Sequence, residues 1–323
     1  MNGIRLAKLS DTSDVMDFIK VNWNETHILA RDKKFFLYQH KDKHILNYVI
    51  SVEDNKINGL LGFIKYSNIV SDIAIVIWKV KNNNKKPMLG IELLEFLRNH
   101  KKYNILFSSG IDKKTIGIYN YLNIYINQLS QYVIINNEIE SFNIVKFGKK
   151  VCLNKVDFID NDDFKLIELN EIPLDFCFHE NNFIPYKDRS YFLKRFFDHP
   201  IYNYKIYGIC IEGIIKSLIV TRVISLDGSQ VLRIMDFIGD ENHITFITKY
   251  LYELIITNNY EYVDFVCFGF DEKNLKKAGF KKIDLKSSDI ITPNYFSPFL
   301  RKNVVINFMV DTKEIDRIRI CKA

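Results

Sequence analysis

The chain has 323 residues, long enough for two hydrophobic cores rather than one. Its 47% hydrophobic and 26% charged content suits a globular protein, and its most apolar stretch, 204–223, is broken by Glu212, Lys216 and Arg222, so no membrane span is expected. The net charge of +6 is spread along the chain without a basic arm, which favours small polyanionic ligands and argues against nucleic acid.

Five cysteines, Cys152, Cys177, Cys210, Cys267 and Cys321, are odd in number and scattered. None has CxxC or Cys/His spacing, so no metal site is expected, and reduced thiols point to the cytoplasm. The N-terminus runs directly into strand-like sequence with no apolar signal region, which points the same way.

In chain order, Ile4–Leu9 alternates as a strand and a helix follows over 13–23. A second helical region spans 24–40, with His27 in its polar entry and Gln39 and His40 at its end. Residues 46–52 and 56–67 form a hairpin about Glu53–Asn55. Next come a strand rich in β-branched residues (71–80), a polar loop (81–88) and a helix (89–99). This strand–loop–helix unit is the centre of the reading. Amides at the helix start lack intrahelical partners, Pro87 presets φ, Gly90 lets a ligand approach, and Lys85 and Lys86 add charge. Together they predict a cradle for a diphosphate. A strand (103–110), a short helix (113–122) and a closing strand (131–136) complete the first half.

The stretch 154–164 turns acidic and irregular, and the domain boundary is placed at 153/154. The second half repeats the plan: strand 165–169, helix 188–197, strands 204–211 and 214–225 with an Asp227-Gly228 turn, and strand 231–238. Loop 239–242, helix 243–257, strand 262–268 and a helix ending at Gly279-Phe280 follow. Its loop carries Asp240 and Glu241 where the first carries lysines. Carboxylates there repel phosphates, so the donor is expected in residues 1–153 and the acceptor in 154–323.

Val80–Leu94, with Gly90 at the last glycine of the pattern and Met88 in place of an earlier one, resembles the acyl-CoA motif of the GNAT superfamily of N-acyltransferases. Thr115–Ile124 resembles its later helix, with Tyr119 at the usual tyrosine and Asn123 at the usual glycine. Asn24–Ala30, Leu61–Ile64, Ser109–Asp112 and Gln131–Asn136 resemble GNAT enzymes of bacterial polysaccharide-sugar pathways. The resemblance implies an α/β (α+β) fold of two tandem GNAT-like domains, each a mixed, largely antiparallel sheet flanked by helices. It further implies acetyl-CoA as co-substrate, no metal, direct attack of an amine on the thioester, and a nucleotide-linked amino sugar as acceptor, in a monomer or homodimer.

On that reading Trp78, Lys79, Val80, Lys85, Lys86, Met88, Leu89, Gly90 and Ile91 hold the acyl carrier, with an oxyanion donor near Trp78–Val80. Proton-acceptor candidates are His27, ranked first, then His179 beside Glu180 and Asp236 on an apolar strand. Tyr119 takes the position that protonates the leaving thiolate. Gln39, His40, Arg189, Arg195 and Tyr204 are candidate acceptor contacts, although His40, like His44, His100 and His243, also reads as structural. Each candidate has a plainer reading: a helix cap for His27, core packing for Tyr119, surface pairing to Asp188 or Asp198 for the arginines. The alternatives are a Fem-type aminoacyl-tRNA-dependent transferase, for which no helical hairpin to grip tRNA is seen, and a non-catalytic CoA- or sugar-binding module.

Overall fold

In the computed structural model, residues 3–67, 69–100, 103–148, 163–178, 182–287, 289–296 and 299–322 are described. His179, Cys152 and the 153/154 boundary lie outside them. The chain divides into two compact units, Met1–Ile126 with Phe308–Lys313 and Asn127–Asn307 with Glu314–Ala323, called here the first and second lobes.

The first lobe's elements are β1 (Gly3–Lys8), α1 (Thr12–Asn22), α2 (Ile28–Arg31), α3 (Lys33–His40), β2 (Ile45–Glu53), β3 (Lys56–Lys65), β4 (Asp72–Val80), α4 (Leu89–His100), β5 (Ile105–Ile111), α5 (Ile116–Tyr121) and β6 (Tyr125–Gln128). The single helical region expected over 24–40 is two helices. Asp32 ends α2 and caps α3, its carboxylate accepting from Phe35 N at 2.9 Å. Asp54 and Asn55, both at positive φ, make the two-residue hairpin turn between β2 and β3.

In the second half come β7 (Ser130–Ile135), β8 (Phe164–Leu169), α6 (Arg189–Phe192), β9 (Lys205–Ile211), β10 (Ile214–Leu226), β11 (Ser229–Ile238), α7 (Thr248–Thr257), β12 (Tyr262–Phe268), α8 (Glu272–Lys277), β13 (Asn307–Asp311) and β14 (Ile320–Cys321). The helix expected from His243 starts as a 3-10 turn over Glu241–Phe246 and becomes α-helical at Thr248.

Each half builds an eight-stranded mixed sheet. The first runs β1-β2-β3-β4-β5-β13-β6, with the short strand Lys41–Asp42 beside β2. The second runs β8-β9-β10-β11-β12-β7 to the short strand Lys281–Lys282, with β14 also paired to β12. Two strands therefore leave their own half. Expected to close the first half, β7 pairs instead with β12 and buries Tyr132 and Ile134 in the second core; β13 enters the first sheet and buries Met309 there.

Successive strand residues point to opposite faces, so the first sheet buries two layers. Tyr48, Ile50 and Leu60 pack under α1–α3, while Val49, Leu61 and Phe63 pack under α4 and α5. Leu89, Leu93, Leu94 and Leu97 form the buried stripe of α4, at the spacing that faces one side of a helix.

Candidate active site

Parallel strands β4 and β5 pair over three residues only, Asp72 with Ile105, Ile73 with Leu106 and Ala74 with Phe107. There the ladder stops, and Ser108 Oγ donates to Ile75 O at 2.9 Å in its place. Both strands continue past this point, leaving a fork that opens towards their carboxyl ends, where α/β folds bind ligands.

A β-bulge marks the same place. Gly62 pairs with Ile77 and Phe63 with Ile75, leaving Val76 as an extra residue. Because side chains alternate, one extra residue switches which parity faces α4. Ile73 and Ile75 face α4 before the bulge; Trp78 and Val80 do so after it, while Ile77 turns to the α1–α3 side. The bulge thus aims Trp78 at the start of α4. Its indole Nε1 donates to Gly90 O at 3.1 Å, and its ring lies 5.8 Å from that of Tyr119 on α5.

The first intrahelical bond of α4 runs from Glu92 N to Met88 O, so the amides of Leu89, Gly90 and Ile91 precede the hydrogen-bonded turns. Met88, in the place of the resembled motif's earlier glycine, sits in the left-handed region at φ +63°. Asn123, in the place of the later glycine, also does so at φ +56°. Both substitutions keep a backbone that glycine adopts freely. A Cβ at Gly90 would lie 3.4 Å from the Trp78 ring, an ordinary contact, so packing alone does not demand glycine there.

The expected cations divide. Lys86 is exposed and pairs with Glu92 at 2.5 Å, whereas Lys85 is exposed and makes no ion pair among the described residues. Lys79 Nζ reaches Asn82 at 2.8 Å. Tyr119 is buried, and burial raises its hydroxyl pKa, which keeps it protonated.

His27 caps α2, its Nδ1 accepting from Leu29 N at 3.2 Å, and its ring lies against Trp23. Half-burial lowers its pKa. An imidazole that accepts at Nδ1 carries its proton on Nε2, so taking up another proton means giving up the cap. His40 is fully buried between Phe36 and Tyr48, with Phe63 O and the Tyr48 hydroxyl at its two nitrogens, each 3.3 Å away. Gln39 is half-buried.

In the second lobe Arg189 spends its guanidinium on carbonyls of Ile172 and Pro173 rather than on Asp188 or Asp198. Arg195 lies by His199 and Tyr204, in a cluster that also holds Tyr202 and Arg222, whose guanidinium stacks 3.6 Å over the Tyr202 ring. Burial and the two arginines push the His199 pKa down to about 4.

The second lobe repeats the fork. β11 and β12 pair over Leu232–Ile234 only, and Met235 is an extra residue there. Asp236, the residue after the bulge, matches Ile77 of the first lobe. It is fully buried, accepting from Lys187 Nζ at 2.5 Å and from Phe237 N, and its Oδ2 has no hydrogen-bond partner among the described residues. This fork, however, is filled. Cys267 of β12 pairs with Ser130 of β7 on one edge and with Cys321 of β14 on the other, so β14 lies on the β11 side, within the fork. Among the described residues no strand enters the fork of the first lobe. Ser108, Lys187 and Arg319 were not singled out from the sequence. The alternation of Ile318 and Ile320 with charged or polar residues was the available sign of a C-terminal strand.

No protein-family model matches the chain, and no curated protein matches it. Solved structures do. A GCN5-related N-acetyltransferase from Anabaena variabilis superposes with a TM-score of 0.57 at 10% identity, over 95% of this chain and 71% of that one. A conserved Enterococcus faecalis protein of unknown function, described as a probable N-acyltransferase, gives 0.59 at 8%, over 97% and 73%. A Pyrococcus horikoshii protein whose acetyltransferase activity is inferred gives 0.53 at 12%, over 97% and 90%. The fold is that of the GNAT N-acetyltransferases, spread over two mixed sheets as the sequence led one to expect.

Proposed function

We propose that the chain is an acyl-CoA-dependent N-acyltransferase that holds its carrier in the fork between β4 and β5, with the phosphates at the start of α4. One observation supports this most: among the described residues, of two like-built forks only that of the second lobe is closed by the chain's own strand. The open fork ends at three amides without intrahelical acceptors, with Lys85 beside them. Trp78 and Tyr119 line its α4 side.

The acceptor amine attacks the thioester carbonyl directly. A carbon–nitrogen bond forms as the carbon–sulfur bond breaks; the amine gives up a proton and the departing thiolate takes one. Holding both reactants together supplies much of the acceleration. The protonated Tyr119 hydroxyl is the donor we assign to the thiolate. For the amine, the acceptor we assign among the described residues is His27, at the expense of its cap, whereas Asp236, fully buried and paired with Lys187, is left as a core carboxylate. The acceptor we favour is a nucleotide-linked amino sugar.

The test is thiol release from acetyl-CoA against UDP-, dTDP- and GDP-linked amino sugars. Release that needs the amine, and is absent with the N-acetylated sugar, supports the reading. Carrier binding without release on any member would reduce the chain to a binding module.

A further inference from the structure

The fork of the second lobe differs from that of the first in polarity as well as in occupancy. Behind β11, Gly239 and the loop Asp240–Glu241 present a carbonyl and carboxylates where the first lobe presents lysines. The segment that fills the fork answers them. Arg319 donates to Gly239 O at 3.0 Å and stands 3.7 Å from Glu241. Its guanidinium lies 3.3 Å from the ring centroid of Phe183 and 4.6 Å from that of Phe270.

The segment's backbone is held on both sides. Lys322 N donates to Val266 O and Cys321 pairs with Cys267. On the other side Ile184 N donates to Arg317 O and Arg319 N to Ile184 O. Gly269 makes room for it: a Cβ there would come 1.9 Å from Ile318 O.

We propose that this fork is a peptide site, built for a cationic segment that runs extended after a 3-10 turn at Ile315–Arg317, and that its ligand is the chain's own segment 315–322. Main-chain bonds supply the grip, as in strand addition to a sheet edge, and the acidic loop supplies selection for Arg319. A carrier's phosphates are repelled by the Glu241 carboxylate beside the arginine and by Asp240 next to it, so the lobe takes a peptide and no acyl-CoA. The claim concerns the second lobe alone and stands whether or not the first lobe binds the carrier.

The experiment removes residues 315–323, which leaves β13 in place, and follows Cys267 alkylation by peptide mass spectrometry. Cys267 is 1% exposed, in the second core, and Cys321 of the segment is its neighbour in the sheet and packs against that core. Its labelling should quicken at least about tenfold in the truncated chain and return to the slow rate when a synthetic 315–323 peptide is added. The same peptide carrying Arg319→Glu should not restore protection. In case truncation prevents folding, full-length Arg319→Glu gives the same readout, with faster Cys267 labelling expected. Calorimetric titration with CoA should find no second site in either variant. Unchanged labelling in both variants, protection by the charge-reversed peptide, or a CoA site that appears on truncation would each overturn the proposal. CoA binding to the full-length chain is scored separately and tests only the first lobe.

Discussion

Replacing Met88 by glycine should stabilise the protein, although it removes a hydrophobic side chain. At φ +63° an L-residue is strained by about 1–2 kcal/mol, and glycine is not. Against this, glycine's freedom in the unfolded chain costs about 0.4–1 kcal/mol. The side chain is 63% exposed, so little packing is lost with it. The net expectation is a gain of about 0.5–1 kcal/mol, seen as a rise in the first lobe's melting temperature of about 1–4 °C. Met88→Ala keeps the strained backbone and is the control, expected within about 0.5 kcal/mol of the parent. Urea and thermal unfolding of the three proteins, without ligand, measure this. A glycine variant no more stable than the alanine variant would refute the strain argument, and with it the claim that position 88 is a glycine site filled by another residue.

Other outcomes follow from the same geometry. Lys85→Glu should weaken CoA binding more than Lys86→Glu does, by about fivefold, because Glu92 already neutralises Lys86; equal losses by calorimetry would contradict this. His27→Ala should cost about 1 kcal/mol of stability through the cap, and His27→Asn should restore it. If His27 also takes the amine's proton, kcat falls about 100-fold in both variants, and full activity in the asparagine variant removes it from the chemistry. The depressed pKa of His199 means that the folded state holds it neutral. Its stabilisation is complete above the unfolded value near 6.5 and is lost as pH falls towards about 4. His199→Asn should flatten the pH dependence of the melting temperature across that window, and an unchanged slope would exclude His199 as its source. A chain ending at residue 306 should lose the first lobe's cooperative unfolding, since fully buried Phe308 and Met309 go with β13.

Local patterns were legible in the sequence. The run of β-branched residues over 71–80 gave β4, the leucine spacing gave α4, and the paired turn residues at 54–55 and 227–228 gave hairpins. The repeat of one plan in both halves was legible too, down to Gly279-Phe280 at the end of α8. Partner choice was not. Alternation in 130–135 and 307–311 says that each is a strand, but the sheet each joins is decided by which core accepts Tyr132, Ile134 and Met309. The bulges at Val76 and Met235 leave no mark in composition, yet they decide that Trp78 faces α4 and that Asp236 turns away from α7. The acidic loop was visible as a departure from a phosphate site; its counter-charge, Arg319, lies 78 residues further on from Glu241 and shows only in the fold.

Hydrogen–deuterium exchange on adding CoA tests the central claim most directly. Slowed exchange at the amides of Leu89, Gly90 and Ile91, with no change over 237–247, is the predicted result. Protection confined to 237–247, or absent from both helix starts, would contradict it.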